Sequence, residues 1–324
     1  MKIDRTEYPE VDIIREVQET LPSFPIAFWN DNQHKDLYFK NRSCARFPNV
    51  YTLRVNNIYW QTLGTSDGTF HLLSAYYDVR KNCQICPVVR LIGMVDRIAP
   101  NVRTYRHLWF AESNEPVIVQ SRKYIPIHLY PPENPDLNVL LHGYLITCPI
   151  PQEIKNQIPI FVSLVENKCD IASNSLRVFY NQLENAEKKN RFAVCVKASS
   201  FNEDLSVRLI EWIELLQLLG VHKTIFYSLY VHKNISQVLE YYKRRGKVEV
   251  LPFTYCEDQP NVPSLQHLYI TENKDINIMN EDVSLNDCFY RNMYKYDFIV
   301  ALDLDEVIVP RKEYNWDGLK ESQI

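Results

Sequence analysis

Between about residues 26 and 150 the apolar positions come in short β-branched and aromatic runs: VYTLRVNNIYW, TFHLLSAYYDV, PVVRLIGMVDRI, HLWF, PVIVQSRKYI and VLLHGYLITCPI. Gly, Pro, Asn and Asp separate them, which predicts strands joined by turns in a small antiparallel sandwich or barrel. Trp60, Tyr76, Tyr77 and Trp109 fall in or beside these runs, either as core aromatics or as a sugar-stacking platform. Residues 1–25 precede this β-rich domain as an N-terminal extension. Residues 151–191 read as a polar connection with helical character near its end, in NQLENAEKKN.

From residue 192 the period changes to strand–helix alternation. Residues 192–198 are a strand, and 204–219 (DLSVRLIEWIELLQLL) carry apolar residues at helical three- and four-residue spacing, with Gly220 as the stop. A strand at 224–231, a helix at 236–245 stopped by Gly246, and a strand at 247–253 follow. A helix at about 282–295 then leads into residues 297–311. The expected fold class is α/β: a mostly parallel sheet covered on both faces over residues 192–324, preceded by the β-rich N-terminal domain.

Residues 297–311, DFIVALDLDEVIVPR, carry the chemistry. An apolar run from Phe298 to Leu302 meets Asp303, Asp305 and Glu306 before apolar character resumes at Val307. An unpaired buried charge costs several kcal/mol, so buried strands avoid such clusters. The exception is a strand leaving an α/β sheet at its carboxyl end, where ligands bind. Aspartates at i and i+2 there can share one hard cation, Mn²⁺ or Mg²⁺, bridging them to a diphosphate. A lone Asp-x-Asp is a common pattern; the apolar run before it makes this one informative. With seven glycines the chain has neither GxGxxG nor a Walker A loop, so a bound nucleotide would have its phosphates held by metal and side chains.

The formal charge of −4 argues against a nucleic-acid partner, since no basic stripe is available to displace counterions. Lys188, Lys189 and Arg191, and Lys243, Arg244 and Arg245, read as solvated helix ends. No segment reaches the ~18 apolar residues of a membrane span, and the charged first residues do not make a signal peptide. Cys83 and Cys86 form a CxxC without a second ligand pair at zinc-finger spacing, which argues against structural zinc. The eight cysteines fit either disulfides in an oxidising lumen or buried thiols. The sequons at Asn41 and Asn234 permit glycosylation in such a compartment.

Taken in order, NNIYWQTLG, SAYYDVR, VRLIGM, TCPIP, AVCVKASSFNE, LIEWIELLQLLGVHKTIFYSLYVHKNISQVLEYYKRRGKVEVLPF and NDCFYRNMYKYDFIVALDLDEVIVP resemble glycosyltransferase family 92. The resemblance implies a GT-A fold, a UDP-sugar donor with UDP-galactose the first candidate, a glycan acceptor, dependence on Mn²⁺ (or Mg²⁺), and a type II membrane protein of the Golgi lumen whose anchor is not in this chain. It assigns Asp303 and Asp305 to the metal, with Glu306 the acid that follows. Asn286, Asp287 and Arg291 should face the donor, and Lys197, Asn202 and Glu203 the nucleoside. The alternative for Asn202 and Glu203 is capping of the next helix.

Nineteen residues, 306–324, follow Asp305, whereas the family continues with acceptor-binding segments and a catalytic base. The expectation is therefore a chain truncated at its C-terminus, with the base beyond it. A second reading is a paralogue that binds nucleotide or glycan without turnover. DLDEV also fits the first motif of haloacid-dehalogenase-like phosphatases, with Asp303 as nucleophile and Asp305 as acid/base, but the motifs that fold needs downstream have no room.

Overall fold

The structure, a computed structural model, describes residues 10–32, 44–128, 141–181 and 192–321, apart from 47, 49, 82, 112, 114, 122 and 273. Among the described residues the fold is mixed α/β with two sheets. The chain divides into two units, Met1–Pro126 with Pro131–Phe179, and Ile127–Tyr130 with Tyr180–Ile324.

The N-terminal unit opens with α1 (Glu10–Thr20) and α2 (Ile26–Asn32). Its strands are β1 (Val55–Asn56), β2 (Trp60–Thr65), β3 (Gly68–Asp78), β4 (Val88–Val95), β5 (Tyr105–Trp109), β6 (Val117–Gln120), β7 (Lys123–Pro126), β8 (His142–Pro149), β9 (Phe161–Val165) and β10 (Leu176–Phe179). They form one sheet in the order β6-β5-β9-β10-β3-β4-β8-β7, with β2 also on β3 and β1 on β2. β10 runs parallel to β3 while the other pairs are antiparallel. The sheet is thus mixed, which corrects the antiparallel sandwich or barrel read from the runs. The cause lies in residues 151–191. That stretch, read as a polar connection, supplies β9 and β10, and β10 reaches β3 by a long crossover that no local pattern announces. The helix expected in NQLENAEKKN lies, from residue 182, outside the described residues.

β4, between β3 and β8, is buried along its whole length. Its one charge, Arg90, is matched by Asp78 at 2.6 Å, as burial of a guanidinium requires. A Cβ on Gly93 would lie 2.5 Å from the His71 carbonyl oxygen, so β3 and β4 approach too closely there for another residue. Trp60, Tyr76, Tyr77 and Trp109 are all buried, and Trp109 stacks on Phe161 at 5.6 Å. They are core aromatics, and the sugar-platform reading does not hold.

The C-terminal unit contains β11 (Phe192–Phe201), α3 (Ser206–Leu218), β12 (Val221–Val231), α4 (Lys233–Arg244), β13 (Val248–Pro252), α5 (Pro263–Glu272), α6 (Lys274–Asn292), β14 (Phe298–Ala301) and α7 (Trp316–Glu321). The four strands are parallel in the order β13-β12-β11-β14. Gly220 (φ 97°) and Gly246 (φ 70°) take the left-handed conformation just past α3 and α4, the role their positions predicted. Val194 and Val196 of β11 join a core with Leu209, Trp212, Ile213 and Leu216 of α3 and with Ile235, Leu239 and Tyr242 of α4. Cys195, on the opposite face by the two-residue period of a strand, is disulfide-bonded to Cys288 of α6. Helices therefore cover both faces of β11.

Candidate functional site

Lys197 owes its position to a fault in β11. Val196 pairs with Phe226 and Ala198 with the next residue of β12, Tyr227, so the register steps past Lys197 and the strand bulges. Bulges re-aim side chains and are common beside active sites. The Ala198 N–H donates to Ser284 Oγ at 2.9 Å, so α6 satisfies the displaced backbone. The Lys197 ammonium lies 3.0 Å from Glu281 and 3.2 Å from Asp303. Burial lowers the lysine's pKa, but the hydrogen bonds and charges of Glu281 and Asp303 outweigh it and hold the pKa above its ordinary value. Glu281 moves the other way from a normal carboxylate. Burial raises its pKa, the Asp303 charge adds to that, and Lys197 and Asn277 offset only part of it.

β14 ends at Ala301, so the acids do not belong to the strand itself. This corrects the acidic strand expected from the sequence: Asp303–Glu306 is a turn, closed by the Glu306 N–H on the Asp303 carbonyl at 3.0 Å. Leu302 is buried in the α3–α4 core and Leu304 packs against it, which leaves Asp303 half-buried and Asp305 exposed. Glu306 accepts the Asp303 N–H at 3.1 Å, while Trp212 of α3 donates to the Glu306 carbonyl at 2.8 Å and Trp316 to that of Ile308 at 2.7 Å. Two core tryptophans thus anchor the acidic turn from behind.

Asp287 and Arg291, expected to face a donor, are buried and engaged with each other. Arg291 Nε and Nη2 donate to Asp287 Oδ2 at 3.1 and 3.0 Å, and the Tyr227 hydroxyl donates to the same oxygen at 2.5 Å. They tie α6 to β12. Asn286 donates to the Asp282 carbonyl one turn back at 2.9 Å. Asn202 and Glu203 follow β11 as exposed residues, and neither caps α3. The N-cap is Leu205, and the Asp204 carboxylate just before it accepts the Ser206 N–H at 3.1 Å; hydrogen bonds from Ser206 and Asn234 lower its pKa to about 2. The structure therefore brings Lys197 and Asp303 together with Glu281, which sequence reasoning missed. The available signal was a polar stripe at helical spacing, Asn277, Glu281, Ser284 and Cys288, inside α6.

Asp303 and Asp305 are oxygen donors reachable from solvent, the donor type a hard divalent cation takes. Among the described residues no third His, Cys, Asp or Glu converges with them. Two carboxylates suit Mg²⁺ or Mn²⁺, whose other ligands come from waters and substrate phosphates. No helix among the described residues is long and apolar enough to cross a membrane.

Residues 190–321 match the family model described as Glycosyltransferase family 92. Comparison with curated proteins finds no match. Among solved structures, a flavohemoglobin from Malassezia yamatoensis aligns at 13% identity over 65% of this chain and 50% of its own, with a TM-score of 0.14. The chain spans half the length of that protein, and a TM-score so low carries no argument about fold or activity.

Proposed function

We propose that this chain, whose residues 190–321 match the family model described as Glycosyltransferase family 92, moves a hexose, galactose first among candidates, from a UDP-sugar to a glycan acceptor. The observation that carries the reading is the bulge lysine, a fixed cation held between Glu281 and Asp303 just past the carboxyl end of β14. Ligands bind at that end of the strands in open α/β sheets. The topology, β13-β12-β11-β14 with helices on both faces of β11, is compatible with a GT-A-like nucleotide-binding unit.

In this reading Asp303 and Asp305 hold Mn²⁺ or Mg²⁺. When bound there, the cation supplies Lewis-acid stabilisation of charge on the departing UDP. Lys197 donates charge-assisted hydrogen bonds to the diphosphate while Glu281 keeps the ammonium aimed. Glu306 and Trp212 fix the turn, so the carboxylates need little rearrangement as charge develops. Asn202 and Glu203 are left for the nucleoside side. Asp287 and Arg291 act as positioning residues, through α6. Three disulfides suit an oxidising lumen and support the secretory-pathway reading.

A panel of UDP-sugars, incubated with the protein and a mixed glycan pool with and without Mn²⁺, tests this. The expected outcome is Mn²⁺-dependent UDP release, fastest with UDP-galactose, and a labelled glycan product. Nucleotide binding without release under any condition would instead favour a binding module.

A further inference from the structure

The N-terminal unit carries a second piece of chemistry that the glycosyl-transfer reading does not use. Cys83 and Cys86 are disulfide-bonded across three positions of sequence, against 125 and 93 for Cys44–Cys169 and Cys195–Cys288. A cross-link restricts the unfolded chain less the smaller the loop it closes, so this bond contributes least to the fold. Both half-cystines are half-buried, and Cys86, with Gln84, Ile85 and Pro87, lines a cleft of about 840 Å³ whose other wall includes Gln120 and Pro149. Cys83 faces a different neighbour. Arg90 Nη2 donates to Cys83 Sγ at 3.7 Å, and the guanidinium is held there by Asp78 Oδ2 at 2.6 Å and Thr147 Oγ1 at 3.0 Å. Asp78 lies within 4.8 Å of both sulfurs, and both Arg80 and Arg90 pair with its carboxylate.

We infer that Cys83–Cys86 is a thiol–disulfide exchange site for dithiols, with Cys86 the sulfur attacked and Cys83 the sulfur that leaves. A thiolate of the incoming dithiol, entering by the cleft, bonds to Cys86 Sγ. The Cys83–Cys86 bond breaks, and its electron pair departs on Cys83 Sγ, where the Arg90 guanidinium stabilises the thiolate. The second thiol of the dithiol, once deprotonated, closes on its own partner sulfur and releases Cys86. The dithiol is oxidised by two electrons to a disulfide, the cystine is reduced by two, and two protons pass to the cysteines. A low-molecular-weight disulfide such as oxidised glutathione returns the site by the reverse steps.

The test is a dithiothreitol titration of the folded full chain, quenched by alkylation and mapped by peptide mass. Cys83 and Cys86 are expected to open together at about tenfold less reductant than the other two disulfides, with circular dichroism unchanged. Opening of Cys44–Cys169 first, or of all three only as the protein unfolds, overturns the assignment. The direction of attack is read separately by adding reduced glutathione to the oxidised protein, quenching with acid and mapping the mixed disulfide by peptide mass. The glutathionyl group is expected on Cys86, and its appearance on Cys83 refutes the geometry.

Discussion

A side chain at a strand bulge can be aimed by its surroundings, and Lys197 is aimed at two acids. Lys197→Ala removes the charge-assisted bonds proposed for the diphosphate and should weaken UDP binding about 10- to 100-fold, while Lys197→Arg retains part of it; fluorescence or calorimetric titration reads this. In the N-terminal unit, burial raises the Asp78 pKa, but hydrogen bonds from Arg80 and Arg90 outweigh it and hold the pKa below its ordinary 3.8. A depressed folded pKa stabilises above the unfolded value, and that contribution is lost as pH falls through the folded one. Asp78→Asn, which strands a buried guanidinium, should cost about 3–5 kcal/mol near neutrality, and the gap to wild type should narrow in melts below pH 3.8. Asp303 and Asp305 stand out in the sequence because acids after an apolar run have few structural uses. Glu281 does not, since one glutamate on a long polar-faced helix looks solvated until its strand partner is known.

At the scale of elements, α3 and α4 follow their sequence signals closely, since apolar spacing and left-handed glycines are local, whereas α5 and α7 were not announced. α6 starts at Lys274, about eight residues before the apolar period announces it. Its early turns instead carry the polar contacts of Asn277 and Glu281. β14 is shorter than the apolar run suggests because, past Ala301, Leu302 and Leu304 turn into the α3–α4 core and β11 offers no further register. Trp212→Phe tests the link between that core and the site. It keeps most of the packing but deletes the hydrogen bond to the Glu306 carbonyl, with an expected cost of about 1 kcal/mol in melts. UDP affinity should fall in parallel if the turn needs its buttress.

For the whole molecule, the boundary near Tyr180 lies within the stretch read as a connection, because β9 and β10 belong to the first sheet. Only long-range pairing decides that, and the sequence does not display it. The cysteines carry a global check. Three disulfides leave Cys148 and Cys256, both buried, so denatured unreduced protein should titrate two thiols and folded protein none. The central claim is that the turn after β14 is the metal and diphosphate site of a glycosyltransferase. Asp305 tests it most cleanly, because its exposed side chain makes no hydrogen bond or ion pair among the described residues and its removal should leave the fold intact. Calorimetric titration of UDP in the presence of Mn²⁺ should give binding by the wild type and loss of most of it in Asp305→Ala, with both proteins melting alike. Unchanged affinity in Asp305→Ala would contradict the assignment.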